Sequence, residues 1–262
     1  MWVEQTRDRG RLKAFLERDR GWAAYALGDL DPGMFEQTDW FLAGYADTGI
    51  QPVTASSLCL VFHGLTPSPL LCMGDPAGVS AILDVLDETR PFLNMRREYL
   101  PAVETRYRFG DLVPMWRMVL PPGDFHPIDG PVVRLTMAHL AEVQRIYALT
   151  FGGDAFAPFQ LRDGVYFGIF DANRLASVAG THLVGSTYSV AAVGNVATLP
   201  DYRNRGYAQA TNSAVCAELL RQGIKTIVLN VSQANAPAIR AYRKLGFKVH
   251  CEFLEGPAER RT

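Results

Sequence analysis

Arg203-Asn204-Arg205-Gly206-Tyr207-Ala208 has the residue types and the spacing to hold an anion. It follows an apolar run, Val196 to Leu199, closed by Pro200, and it precedes a stretch of helical periodicity. The first turn of a helix leaves backbone N–H groups without intrahelical partners. With the helix dipole they act as about half a positive charge, and a diphosphate fits such an end. Gly206 lets phosphate oxygens approach the backbone, and Ala208 is too small to close the gap. Arg203 and Arg205 can add charge-assisted hydrogen bonds. The string R-x-x-G-x-A also occurs at Arg18-Asp19-Arg20-Gly21-Trp22-Ala23. There it follows a helix rather than a strand, and we read it as chance. A capped surface helix with solvated arginines satisfies the string at 203–208 equally well, so context must decide.

That context is a run of predicted elements. The spacing predicts strands near 174–184 and 187–198, joined to a strand at 165–170 through the turn Asp171-Ala172-Asn173. A helix follows from about Gly206 to Gln222, capped by Gly223. Thr226 to Val231 reads as a buried strand. Asn235 can cap the next helix, with Pro237 in its first turn. Ala238, Ala241, Tyr242 and Leu245 share one face of that helix, and Gly246 stops it. Phe247 to Phe253 is a last strand, and the tail from Gly256 reads as loose.

Upstream, Pro121 to Pro131 holds four prolines and two glycines in eleven residues, which no helix or central strand accommodates. This seam separates two halves, 1–120 and 131–262, that share a rhythm. In the second half a strand at 132–135 precedes a helix from Met137, with Leu140, Val143, Ile146 and Tyr147 apolar. In the first, Trp2 to Thr6 precedes a helix with Leu12, Phe15 and Leu16, then a strand at 40–45. Strands near 57–63 and 68–73, a helix at 76–87 and a strand ending at Leu120 complete that half. We read the pattern as an old duplication in an α/β (α+β) chain.

Composition bounds the partners. The chain has 262 residues, with a formal net charge of -1, which argues against a nucleic-acid partner. The uncharged stretches 48–74 and 183–200 are broken by Gly, Pro, Ser and Thr, so neither reads as a membrane span. Cys59, Cys72, Cys216 and Cys251 form no C-x-x-C pair, and no metal site is expected. The first residues lack an apolar segment of the kind a signal peptide needs. Free thiols in the cytoplasm, in a monomer or homodimer, are the expectation.

Val196-Ala197-Thr198-x-Pro-x-Tyr-Arg-x-Arg-Gly-Tyr-Ala resembles the coenzyme A loop of the GNAT superfamily of N-acetyltransferases. Asn235 to Phe247 resembles the second motif of that superfamily, N-x-x-A-x-x-x-Y-x-x-x-G-F, in order and at a typical distance. The resemblance covers about 131–255 and is strongest toward the glycine N-acyltransferase-like branch. It implies two GNAT-like lobes, each with a mixed, mostly antiparallel sheet flanked by helices, the N-terminal one degenerate. It further implies acetyl-CoA as cosubstrate and a primary amine of a small molecule or peptide as acceptor. Backbone groups of Val196 and Thr198, flanking Ala197, would pair with the pantetheine arm. The amides across Arg203, Asn204, Arg205, Gly206, Tyr207 and Ala208 would hold the pyrophosphate. Asn235 and Ala238 would line the thioester end, and Tyr242 would face the sulfur.

The implied chemistry is direct attack of the amine on the thioester. Tyr242, of reference pKa about 10, would hydrogen-bond a thiolate leaving group of about 8.5. Freeing a lysine-like amine at pH 7 costs about 4–5 kcal/mol, so a base or a desolvating pocket is required. Relatives often carry an acid on the strand before the coenzyme loop, near Ala192, but here Tyr188 to Asn195 has no carboxylate. His182, Asp154 and Asp163 are the available groups, each equally suited to a structural or solvated role. Phe151, Phe156 and Phe159 around Asp154 could line an aromatic acceptor pocket or pack beneath a loop. A catalytically silent acyl-CoA-binding regulator is the competing expectation. A nucleotide-binding domain is disfavoured because no G-x-x-x-x-G-K-[ST] loop is present.

Overall fold

The computed structural model describes residues 1–45, 54–151 and 156–261. The chain opens with β1 (Trp2–Gln5), α1 (Arg9–Leu16) and the short α2 (Ala24–Gly28). An antiparallel set follows, β2 (Thr38–Gly44), β3 (Ala55–Phe62) and β4 (Ser68–Gly74), leading to α3 (Pro76–Val85) and β5 (Pro91–Met95). Next come α4 (Leu100–Glu104), β6 (Tyr107–Phe109), β7 (Val113–Leu120) and the two-residue β8 (Val133–Arg134). The remaining elements are α5 (Leu140–Phe151), α6 (Pro158–Asp163), β9 (Phe167–Asp171), β10 (Arg174–Gly185) and β11 (Val190–Thr198). They continue with α7 (Tyr207–Arg221), β12 (Thr226–Ser232), α8 (Ala236–Lys244) and β13 (Lys248–Arg260).

Two compact units result. The first comprises 1–19, 29–116 and 252–262, and the second 20–28 and 117–251. In the first the strand order is β1-β2-β3-β4-β5-β13, with β6 also on β13. Every pair is antiparallel except β4–β5. Val61, Leu70, Val79, Ile82, Leu93 and Met95 form its core between strands and α3. Cys59 and Cys72 face each other across β3 and β4, sulfurs 3.7 Å apart, as free thiols.

In the second unit the order is β8-β9-β10-β11-β12-β7. The pairings are antiparallel up to β11, and β11–β12 is parallel. Val143, Ile146 and Tyr147 of α5 pack with Leu161, Tyr166, Val178 and Ala197. Helix α2, although early in the chain, packs on β10, β11 and β12 of this unit. The two units share one sequence of elements: strand, helix, three antiparallel strands, helix, a parallel strand, helix, strand. In the first this is β1, α1, β2 to β4, α3, β5, α4, β6. In the second it is β8, α5 and α6, β9 to β11, α7, β12, α8, β13.

Local chemistry explains most boundaries. Asp75 accepts from the Ala77 amide and Pro76 opens α3, which ends at Val85. Asn235 accepts from the Ala238 amide at 3.2 Å, with Pro237 in the first turn of α8. The helix expected from Met137 begins as a 3-10 turn, Met137–His139, before α5.

One expectation is overturned. The tail from Gly256 is not loose: β13 runs to Arg260, pairing Gly256 with Leu93, Pro257 with Phe92 and Ala258 with Phe109. Burial of Phe253, Leu254 and Ala258 holds it there, which local strand-breaking by Gly and Pro does not prevent. The Arg18–Ala23 string has structural work instead of an anion. Arg18 donates to the Ala55 carbonyl, Arg20 to Thr226 Oγ1 at 2.8 Å, and Trp22 and Ala23 are buried.

Candidate active site

The site begins where two parallel strands part. β11 and β12 pair only from Val190↔Thr226 to Val193↔Leu229, yet β11 continues to Thr198 and β12 to Ser232. The break coincides with Asn195, which has φ +52°. A left-handed residue in a strand redirects the chain as a bulge does, and asparagine tolerates that conformation better than most residues. A hydrogen-bond network holds it. Tyr147 Oη donates to the Asn195 carbonyl at 2.6 Å, while Asn195 Nδ2 donates to Tyr166 Oη at 2.7 Å and to Gln160 Oε1 at 3.2 Å. Tyr166 Oη donates onward to the Thr181 carbonyl. Burial holds the phenol protons of Tyr147 and Tyr166 well above the ordinary tyrosine range.

Beyond the break, the Leu199 amide donates to the Ala176 carbonyl on the β10 side. By the two-residue alternation of a strand, Val196 and Thr198 turn their backbone groups the other way, toward the open side. Ala197 is buried beneath them, whereas Val196 and Thr198 are half-buried. Asn230, the first β12 residue past the pairing, has a buried Oδ1 with no partner among the described residues.

The loop to α7 leads tightly from β11 into the helix N-terminus. Pro200–Tyr202 forms a 3-10 turn, and the Arg203 amide donates to the Pro200 carbonyl. Asn204 at φ +62° and Gly206 at φ +78° then turn the backbone twice through the left-handed region, a geometry that lets successive amides converge. Gly206 is the N-cap of α7 and brings no side chain to the helix end. Among the described residues, the amides of Gly206, Tyr207 and Ala208 have no acceptor, and intrahelical bonding starts with Gln209 donating to the Gly206 carbonyl. Both arginines brace the loop: Arg203 Nε donates to the Thr198 carbonyl at 3.3 Å, and Arg205 Nη2 to the Asp201 carbonyl at 2.9 Å. Each residue stays exposed, and its guanidinium has N–H groups beyond the one that braces the loop.

Tyr242 lies on the buried face of α8, its ring edge-on to Phe247 at 6.0 Å. Its hydroxyl has no hydrogen-bond partner among the described residues. Burial, reinforced by the Cys216 thiol, holds its proton far above the ordinary range, so it is a donor at neutral pH. Asn235 caps α8 with its side chain, and Ala238 is half-buried in the first turn.

The groups considered as bases separate clearly. Asp154 lies outside the described residues, as does the Phe151 side chain. Asp163 is tied to Arg162 at 2.7 Å, whose hydrogen bond holds its carboxyl below the usual range. Phe156 packs between Tyr147 and Tyr166, with ring centroids at 5.0 and 6.1 Å. Ala192 is fully buried on β11. His182 is half-buried on β10, its Nδ1 2.8 Å from Tyr25 Oη. Burial, with a contribution from Arg117 and against that of Asn195, pushes its pKa down to about 4. Among the described residues no cluster of three or more His, Cys, Asp or Glu is arranged to hold a metal, and no helix is long and apolar enough to cross a membrane.

Sequence reasoning missed Asn195, Tyr147, Tyr166 and Gln160, which set the break between the strands, and Tyr25, which reaches His182. An asparagine preceded by Gly194 in an apolar strand was the available signal.

Comparison with known proteins converges on this region. Residues 139–247 match the acetyltransferase (GNAT) family. A stretch of 104 residues is 32% identical to the ribosomal protein bS18-alanine N-acetyltransferase of Escherichia coli K12, covering 40% of this chain and 68% of that enzyme. A Drosophila protein of known structure superimposes with a TM-score of 0.69 at 13% identity, covering 97% of each chain. A GCN5-related N-acetyltransferase from Kribbella flavida does so with a TM-score of 0.61 at 17% identity, covering 90% of this chain and 95% of the other.

Proposed function

The chain belongs to the acetyltransferase (GNAT) family, and from that premise we propose that it transfers an acetyl group from acetyl-CoA to a primary amine of a small molecule or peptide. The observation that carries the reading is the set of amides at Gly206, Tyr207 and Ala208 without acceptors, beside strands that part at Val193. A diphosphate supplies the missing acceptors, and the open side of Val196 and Thr198 supplies strand-like partners for an amide-bearing pantetheine arm. Ala197 forms the floor of that groove. Arg203, Asn204 and Arg205 shape the loop, with the arginine side chains adding charge-assisted bonds. Asn235 and Ala238 stand at the start of α8, which carries Tyr242.

Acetyl-CoA supplies an acetyl thioester open to attack by an uncharged amine. Tyr242 keeps its proton and donates a hydrogen bond to the departing sulfur. An α-amine is the favoured acceptor. At pH 7 its free base costs about 1 kcal/mol, against about 4.6 kcal/mol for a lysine side chain. β11 has no carboxylate to offset the larger figure. The alanine N-acetyltransferase activity of the E. coli relative agrees with that class.

The first unit fits a degenerate GNAT-like lobe, as in the glycine N-acyltransferase-like branch, because it repeats the element order. It lacks the anion site for a chemical reason. The helix corresponding to α7 is α3, whose N-terminus is occupied by the carboxylate of Asp75, and Asp75 Oδ2 also accepts from Tyr45 Oη. That negative charge excludes a phosphate from the same amides.

Calorimetric titration with acetyl-CoA beside ATP tests the proposal, followed by mass spectrometry of peptides with free N-terminal alanine or with lysine alone. Acetyl-CoA binding without ATP binding, and acetylation of the alanine peptide, is expected. No binding of acetyl-CoA would refute it. Binding without transfer to any amine would favour the alternative, a silent acyl-CoA-binding regulator, to which the carboxylate-free β11 also lends support.

A further inference from the structure

The first unit holds a cavity that the acetyl-CoA reading leaves unused. It has a volume of about 420 Å³ and is lined by Glu104, Tyr107, Arg108, Phe109 and Arg261, all residues of that unit. Sites for small molecules occupy about 300–1,000 Å³. The cavity forms where α4 ends at Glu104 and β6 begins at Tyr107.

The arginines around it divide into those already engaged and those that are not. Arg106 pairs with Asp84 and donates to the Ala102 carbonyl. Arg260 donates to the Leu86 carbonyl, and its guanidinium lies 6.0 Å from the Tyr107 ring centroid. Arg108 stands opposite Glu259 in the β6–β13 register, where a carboxylate ordinarily neutralises it. Glu259 instead pairs with Arg90 at 3.4 Å, and Arg108 has no hydrogen-bond or ion-pair partner among the described residues. Arg261 is fastened from behind. Its amide donates to the Arg106 carbonyl at 2.7 Å, and its Nε donates to the carbonyls of Glu104 and Tyr107 at 2.9 and 3.3 Å. Both of its Nη groups are left without partners among the described residues, on a guanidinium already held in place. Such a fork loses little freedom when a ligand takes it.

Tyr107 and Phe109 supply an apolar wall. Tyr107 is fully buried, its hydroxyl turned away to the Glu88 carbonyl at 2.9 Å, and Phe109 is half-buried against the same core. Glu104 is the single acidic residue of the lining and stands against two arginines, so the cavity keeps a surplus of positive charge.

We propose that this cavity is an anion site of the first unit. It takes a small organic anion whose carboxylate or phosphate bridges Arg108 and the Nη groups of Arg261, and whose flat apolar body lies against Phe109 and Tyr107. The N-terminus of α3 in the same unit is closed to anions by Asp75, so the free donors for a negative charge lie here instead. The inference stands apart from the acetyl-CoA reading and survives its failure.

Isothermal titration of the full chain with phenyl phosphate and with phenylacetate tests the assignment and separates the two head groups. Binding of at least one probe with a Kd of about 1 mM or below is expected. Arg108→Gln removes a side chain that makes no bond within the fold, and should weaken that binding about 5–20-fold. Arg261→Gln should do the same, and Arg205→Gln, in the loop before α7, should leave it unchanged. Inorganic phosphate and acetate, which have no ring to lie on the wall, should bind about 5-fold or more weakly than their phenyl counterparts. No binding of either phenyl probe would overturn the proposal. So would binding that Arg205→Gln weakens and Arg108→Gln does not, which would put the anion on the α7 loop. Equal affinity with and without the ring would overturn the part given to Phe109 and Tyr107.

Discussion

Two glycines at opposite ends of α7 offer a matched pair. Gly206 at the N-terminus has φ +78° and Gly223, just past the C-terminus, has φ +82°. A Cβ built on either meets no atom within 4 Å. Alanine at each position therefore incurs the same cost, that of a left-handed L-residue, about 1–2 kcal/mol. Part is offset by the lower entropy of the unfolded chain, leaving about 1 kcal/mol. At about 2–4 °C per kcal/mol for a chain of this size, both variants should melt a few degrees below wild type, and by like amounts. Their binding should diverge. At Gly206 the methyl enters the space from which a diphosphate would reach three amides, and relief of strain would turn those amides away. Loss of one charge-assisted hydrogen bond is about 1.5–3 kcal/mol, or about 10–150-fold in Kd for acetyl-CoA. Gly223→Ala should bind as wild type does. Differential scanning calorimetry and isothermal titration on both proteins settle it. Equal affinity in the two variants, with equal melting, would mean that the amides of 206–208 do not hold the diphosphate.

Tyr242→Phe should lower kcat on the order of 10²-fold while melting at or above the wild-type temperature. Its hydroxyl has no partner among the described residues, and a fall of several degrees would instead assign it a structural bond. Asp29 is 7% exposed and burial pushes its carboxyl up to about 8. The folded chain holds that proton while the unfolded chain releases it, so stability falls as pH rises from about 4 to 8. Asp29→Asn should remove that slope and raise unfolding free energy by about 2–4 kcal/mol at pH 7, measured by urea titration; an unchanged slope would refute it. His182, pushed down to about 4, acts with opposite sign. Between about pH 4 and 6.5 the unfolded imidazole takes a proton that the folded one refuses, so stability rises with pH there. In His182→Gln on the Asp29→Asn background, urea titrations at pH 4.5 and 6.5 should differ less than in Asp29→Asn alone.

The readable parts of the site are those whose geometry is imposed by residues a few positions apart. Gly206 supplies the left-handed N-cap, Asn235 and Pro237 start α8, and Pro200 ends the strand run, each within one turn of the element it shapes. The hairpin between β9 and β10 was legible for the same reason, from alternation and the turn residues at 171–173, whereas the largely antiparallel sheet as a whole followed from the family resemblance. The parting of β11 from β12 was not. It depends on Asn195, whose partners Tyr166, Gln160 and Tyr147 lie 29, 35 and 48 residues away. No local propensity encodes those bonds. β5 and β6 went unread because their sequences are short and gain strand form by pairing with β13.

Tyr25 is the extreme case, 157 residues from His182. Its segment follows a helix in a half whose pattern is mixed α and β, and its R-x-x-G-x-A string reads as chance. A Cβ at Gly21 would strike the His250 ring, and Arg20 bonds Thr226 on β12. The residues that imitate a phosphate motif are therefore the ones that fasten this segment to the second unit. The consequence concerns function more than fold. A fragment containing only 131–262 would keep the amides of α7 and the hydroxyl of Tyr242 but lose Tyr25 and the anchor at Arg20. The α7 amides and the Tyr25–His182 contact are thus encoded in different stretches of the chain, and only the first lies within the family match.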